Sequence, residues 1–158
     1  MLSSLLAHTR LEKIPANETP LSPAHLPAGL RYAGVISMAE AFWLKANTKL
    51  TFKSKPAPIL FFHGAKDQLV TYDEVQGPFS GYGPVSYFRK FPRSDYPKWF
   101  VDFPQGDHLI AGTPIAENRY EIAAFLQRLV KEHQQISVHT IDYDEFPKII
   151  ESMFRHKD

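Results

Sequence analysis

The sequence predicts an α/β fold in which about three parallel strands are flanked by helices. Two short apolar runs closed by proline or glycine point to strands buried on both faces: Ile59-Leu60-Phe61-Phe62 before His63-Gly64, and Trp99 to Phe103 before Pro104-Gln105-Gly106. Segments with apolar residues at helical spacing alternate with these runs, as a parallel sheet requires. The chain has 158 residues, 44% of them apolar and 22% charged, a balance that supports one buried core.

Each element follows from its local pattern. Leu2, Leu5, Leu6 and Thr9 lie at helical spacing and predict a helix over 2–13 that begins without an N-cap. Residues 15–31 hold four prolines and read as a surface loop. Residues 32–38 (YAGVISM) are apolar and partly β-branched, as in a short buried strand. Residues 44–57 are polar, end with Lys53, Lys55 and Pro56 ahead of Pro58, and read as a connection. Pro84 suits the first turn of a helix over 84–91, with Val85, Phe88 and Phe91 on one side. A long helix is expected over 114–133, capped by Thr113, with Ile122, Phe125, Leu126, Leu129 and Val130 as its apolar stripe. A last helix is expected over 145–155, capped by Asp144. The chain is divided accordingly into a domain over 1–135 and a helical C-terminal extension over 136–158.

Composition narrows the chemistry. The net charge is +1, so no concentrated positive field exists to hold nucleic acid or an anionic membrane. There is no cysteine, which removes thiolate nucleophiles, disulfides and cysteine metal sites. No apolar run is long enough to span a membrane. The first residues, MLSSLLAHTRLEK, lack the basic start and small-residue cleavage site of a signal peptide, so the sequence assigns no location. No histidine pair has metal-ligand spacing with a carboxylate, and Asp142-Tyr143-Asp144-Glu145 lacks a calcium loop's glycine. No phosphate-cradling or dinucleotide glycine loop is present, and neither metal nor cofactor is expected. His8, His25, His133, His139 and His156 are expected at the surface.

Two loops concentrate chemistry. HGAKDQLV follows the second strand and places Asp67 four residues beyond His63; QGDHLI follows the third and places His108 just beyond Gly106. In an open parallel sheet, loops at the carboxyl ends of strands form the ligand crevice. Asp67 and His108 are thus expected at one edge of the sheet, where a carboxylate can fix the tautomer of a basic imidazole.

PAPILFFHGAKDQLVTYDE resembles the penultimate strand and acid loop of the α/β-hydrolase fold, particularly bacterial esterase/lipase-type serine hydrolases. Gly106-Asp107-His108 resembles the same family's histidine loop, and LPAGLRYAGVISMAEAF is similar to the strand after its nucleophile helix. The resemblance covers roughly residues 1–133. It implies a partial α/β-hydrolase sheet, a carboxylester hydrolase chemistry, Asp67 as triad acid, His108 as general base and an acyl ester as substrate. It also implies a departure: the family's nucleophile sits in G-x-S-x-G before the acid, and no such motif occurs here. Gly34-Val35-Ile36-Ser37 has its serine one place late and lacks the second glycine. By this alignment the family's elbow and oxyanion donors fall before Met1, so the chain is expected to be a C-terminal portion, inactive alone. The alternative is a non-catalytic binding module that kept the hydrolase layers. Phe42, Trp43, Leu69 and Ile110 follow strand ends and are candidates to line an acyl or alcohol pocket, although core packing accounts for them equally well. The first strand, deprived of its neighbour in the family's sheet, is expected to expose an edge that promotes self-association.

Overall fold

A computed structural model describes residues 30–52, 54–92 and 96–143. The expected helices over 2–13 and 145–155, and most of the loop over 15–31, lie outside the described residues.

The strands are β1 (Val35–Met38), β2 (Phe42–Lys45), β3 (Ile59–Gly64), β4 (Glu74–Val75), β5 (Phe79–Tyr82), β6 (Lys98–Phe103) and β7 (Ser137–Ile141). The helices are α1 (Pro84–Lys90), α2 (Pro114–Glu117) and α3 (Arg119–Phe125), and α3 continues as a π-helical segment over Leu126–Lys131. A four-stranded parallel sheet runs in the order β1-β3-β6-β7. A second, antiparallel sheet has the order β2-β5-β4. The fold is therefore α/β, as the sequence predicts, with one parallel strand more than expected.

Alternation along β3 and β6 divides the core between the two faces of the parallel sheet. Ile59, Phe61 and Phe100 join Phe42, Tyr82 and Tyr87 on one face. Leu60, Phe62, Trp99, Val101 and Phe103 join Phe125 and Leu129 on the other. All six residues of β3 are buried, which explains why Ile59 to Phe62 is an unbroken apolar run instead of an alternating one. Burying each such aromatic contributes about 1.5–3 kcal/mol.

Several expectations change. The polar connection expected from residue 44 begins inside β2, which pairs antiparallel with β5 from Phe42↔Tyr82 to Lys45↔Phe79. The helix expected over 114–133 is broken at Asn118, which leaves helical geometry between α2 and α3, and its last part is π-helical. Thr113 makes no capping bond; its hydroxyl turns back and donates to the carbonyl of Ile110 at 3.4 Å. In the π segment Glu132 N–H reaches Gln127 O at 2.9 Å, an i→i+5 bond that rotates the stripe. Phe125 and Leu129 stay buried while Leu126 is turned outward. Lastly, the segment assigned to a helical extension opens with a strand: β7 pairs in parallel with β6 from Lys98↔Ser137 to Asp102↔Ile141.

Candidate functional site

β3 ends at Gly64 and β6 ends at Phe103, so the loops that follow them leave the same edge of the sheet side by side. The backbone ties them together. Ala65 N–H donates to Phe103 O and Lys66 N–H to Gly106 O, both at 2.9 Å. The approach is close enough to require glycine: a Cβ on Gly64 would overlap the Gly106 carbonyl and come within 2.7 Å of Asp107 O.

Asp67 lies three residues into the first loop, its N–H bonded to Gly64 O at 3.1 Å. Its side chain turns inward. Oδ1 accepts from the amides of Leu69 at 2.8 Å and Val70 at 2.9 Å. Oδ2 lies 2.9 Å from His108 Nδ1. In the second loop Asp107 accepts from Leu109 N–H and caps the 3₁₀ turn over His108–Gly112, so His108 is fixed as the first residue of a capped turn. The Asp67 side chain has 0% exposure and that of His108 has 36%.

Electrostatics set the protonation pattern. Burial by itself raises the pKa of Asp67. The Val70 amide, the His108 ring, the Leu69 amide and the nearby His63 outweigh burial and hold it below the ordinary carboxylate value. An ionised carboxylate only accepts, so Nδ1 of His108 carries the proton of this bond, and in the neutral ring Nε2 is the nitrogen with the lone pair. A buried acid holding a half-open imidazole in that tautomer is the arrangement of a general base.

His63 lies beneath this pair. Its side chain is 1% exposed, and Nε2 is 3.3 Å from both Asp67 Oδ2 and Val70 O. Burial lowers its pKa, against the raising pull of the Val70 carbonyl and Asp67. A neutral His63 with its proton on Nε2 donates to both oxygens, which defines the floor of the acid loop. Tyr72, at the far end of the loop, sets its ring against His63 edge-on at 5.8 Å and donates its hydroxyl to Asp102 Oδ2 at 2.7 Å. His139 Nε2 reaches the same oxygen at 3.2 Å, and its ring stacks on Phe100.

The four candidate pocket residues separate. Phe42 is 3% exposed and stacks on Tyr87 at 5.5 Å, deep in the aromatic core. Ile110 is 2% exposed, and its Cγ1 lies 2.7 Å from where a Cβ of Gly106 would fall. Trp43 is half-buried against Gly81, its strand partner, where the Thr71 side chain near the far end of the acid loop also packs. Leu69 alone stands open, at 75% exposure, directly beside the amide that holds Asp67. Sequence reasoning missed Leu109, which follows His108 and is 49% exposed. It also missed Tyr72 and Asp102. A signal existed for Asp102, the one charged residue within the run Trp99 to Phe103. Ser37, in β1, is 1% exposed. Among the described residues no group of three or more histidine, cysteine or acidic residues has the geometry of a metal site, and no helix is long and apolar enough to cross a membrane. No protein-family model, curated protein or solved structure matches the chain.

Proposed function

We propose that this chain carries the acid–base half of a carboxylester hydrolase, with His108 as general base and Asp67 as the acid that orients it. One observation carries this reading: a fully buried carboxylate bonded at 2.9 Å to the Nδ1 of a partly exposed histidine, acid before histidine, on loops leaving neighbouring parallel strands. In the reaction a serine hydroxyl attacks the ester carbonyl and its proton passes to Nε2 of His108. The imidazolium, stabilised by Asp67, then returns that proton to the leaving alcohol. Water repeats the sequence on the acyl-enzyme and releases the acid. The serine and the oxyanion donors are assigned to polypeptide outside this sequence, since Ser37 is buried and no G-x-S-x-G occurs. Leu69 and Leu109 supply an apolar rim beside the base, which suits an acyl or alkyl chain. No metal or cofactor enters the mechanism. The outer edge of β1, which no strand pairs among the described residues, is proposed as the place where the missing polypeptide, or a second copy, docks.

The test is an assay with short-chain p-nitrophenyl esters on two samples: this chain, and this chain extended through an upstream genomic G-x-S-x-G. Turnover in the extended form alone supports the proposal. Turnover by the 158-residue chain overturns the account of the nucleophile. Silence in both transfers the weight to a non-catalytic module that uses the same loops for binding.

A further inference from the structure

The acid loop is fastened at both ends, by different means. At its start the Asp67 amide is bonded to Gly64 O. At its end Tyr72 is fastened twice: its carbonyl accepts from Val85 N–H at 3.2 Å, at the start of α1, and its hydroxyl donates to Asp102 Oδ2 at 2.7 Å, on β6. Between the two lie Leu69 and Val70, whose amides hold Oδ1 of Asp67. His63 braces the span from below through Val70 O and Asp67 Oδ2, with the Tyr72 ring against it.

We propose that Tyr72 and Asp102 form a clamp that positions the Asp67–His108 pair, with Tyr72 as the positioning residue. The inference rests on the reading of that pair as functional. Asp102 is suited to the task because it is itself immobile. It is 7% exposed, lies beside His63 in the strand register and is held by His139 on its Oδ2. A carboxylate acceptor makes the Tyr72 bond charge-assisted, which is stronger than one between neutral groups. Burial and Asp102 both raise the pKa of Tyr72, so its hydroxyl remains a donor. Without this bond the far end of the loop is held only through the Tyr72 carbonyl, and the Asp67 carboxylate gains freedom to move away from Nδ1.

The experiment follows the ring N–H of His108 by ¹⁵N-resolved NMR on the full chain and measures its exchange with water. In the parent chain a protected Nδ1–H is expected. Tyr72→Phe removes only the hydroxyl and is expected to speed that exchange about threefold to tenfold, while the β3 amides keep their protection. Tyr82→Phe removes a hydroxyl that donates to Thr48 O at 2.8 Å, outside the acid loop, and leaves the His108 exchange unchanged. An unchanged rate in Tyr72→Phe overturns the clamp. So does equal acceleration in both variants, which signals general loosening. If Tyr72→Phe does not fold, Asp102→Asn decides instead, with the same acceleration expected and an unchanged rate overturning. If the parent shows no protected Nδ1–H, the reading of the pair fails and the clamp fails with it, a result distinct from the others.

Discussion

The carboxylate of Asp67 is buried with 0% side-chain exposure and yet stays ionised, because two amides and two imidazoles surround it. That balance makes its charge and shape inseparable. Asp67→Asn keeps an acceptor for the Leu69 and Val70 amides but presents an amide donor or a neutral oxygen to His108, which releases the tautomer. If the chain is completed as proposed, Asp67→Asn is expected to lower kcat by about 10⁴-fold. His108→Ala, which removes the base of the same unit, is expected to cost on the order of 10⁴-fold or more, and the double variant little beyond that. Turnover numbers on p-nitrophenyl esters check this; a mild loss for His108→Ala would mean that another histidine is the base. His63 gives a second expectation, on stability. Its folded pKa lies below the ordinary value of 6.5, so between that lower value and 6.5 the unfolded chain binds a proton that the folded chain does not. Stability therefore rises with pH through this window and is lost as pH falls through it. Asp67 acts lower down: its depressed pKa adds stability above 3.8 that disappears as pH falls through the folded value. Urea midpoints measured across pH are expected to show both declines, and His63→Gln to flatten the upper one alone. A His63→Gln profile parallel to the parent would show that another group governs that window.

At the scale of elements, the site depends on two loops interlocking through glycine. Gly64→Ala would drive a methyl group into the Gly106 carbonyl and toward Asp107 O, and backbone cannot step aside as a flexible side chain can. The expected cost is about 3 kcal/mol, the upper end for overpacking, together with loss of the His108–Asp67 bond. Thermal melting and the His108 ring N–H signal check the two parts; Gly77→Ala, where a Cβ meets nothing, is the neutral control. These elements were unequally legible in the sequence. β1, β3 and β6 announce themselves because strands this deeply buried are mostly apolar, and the Asp67 and His108 loops follow from where those strands end. β7 does not: its five residues, Ser-Val-His-Thr-Ile, alternate between exposed and half-buried, and much of what holds it is tertiary. Trp99 Nε1 donates to Thr140 Oγ1 at 2.9 Å, and the His139 ring lies flat on Phe100. β2, β4 and β5 are too short and too rich in glycine and aromatics for a period to show. The break at Asn118 and the π segment were hidden by an apolar stripe that fits a continuous helix equally well. Phe42 and Ile110 looked like pocket residues because they follow strand ends. The second sheet and the Gly106 turn carry them into the core instead.

At the scale of the molecule, the unresolved tension is the outer edge of the parallel sheet. β1 is an edge strand among the described residues. Val35 N–H and Ala39 N–H bond to Pro58 O and Phe62 O on the β3 side. By the alternation of a parallel ladder, the N–H groups of Ile36 and Met38 then turn to the outer side. A parallel strand with a donor row facing outward is a template for another strand. No charged side chain interrupts the run from Val35 to Met38. The purified chain is therefore expected to elute larger than its 18.1 kDa mass at micromolar concentration, and to shift toward monomer on dilution. Ile36→Pro removes one outward donor without touching the bonds at Val35 and Ala39, and proline is tolerated on edge strands. It is expected to lower the self-association while the parallel sheet persists by circular dichroism. Addition of a polypeptide bearing the proposed G-x-S-x-G half is expected to compete with self-association, since both would use the same row of donors, and Ile36→Pro should weaken that docking as well. A sharp monomeric peak with cooperative melting in the parent chain would instead mean that the edge is already satisfied within the molecule. The proposed docking edge would then be withdrawn, and a self-sufficient module that binds through the Asp67 and His108 loops would be the better reading.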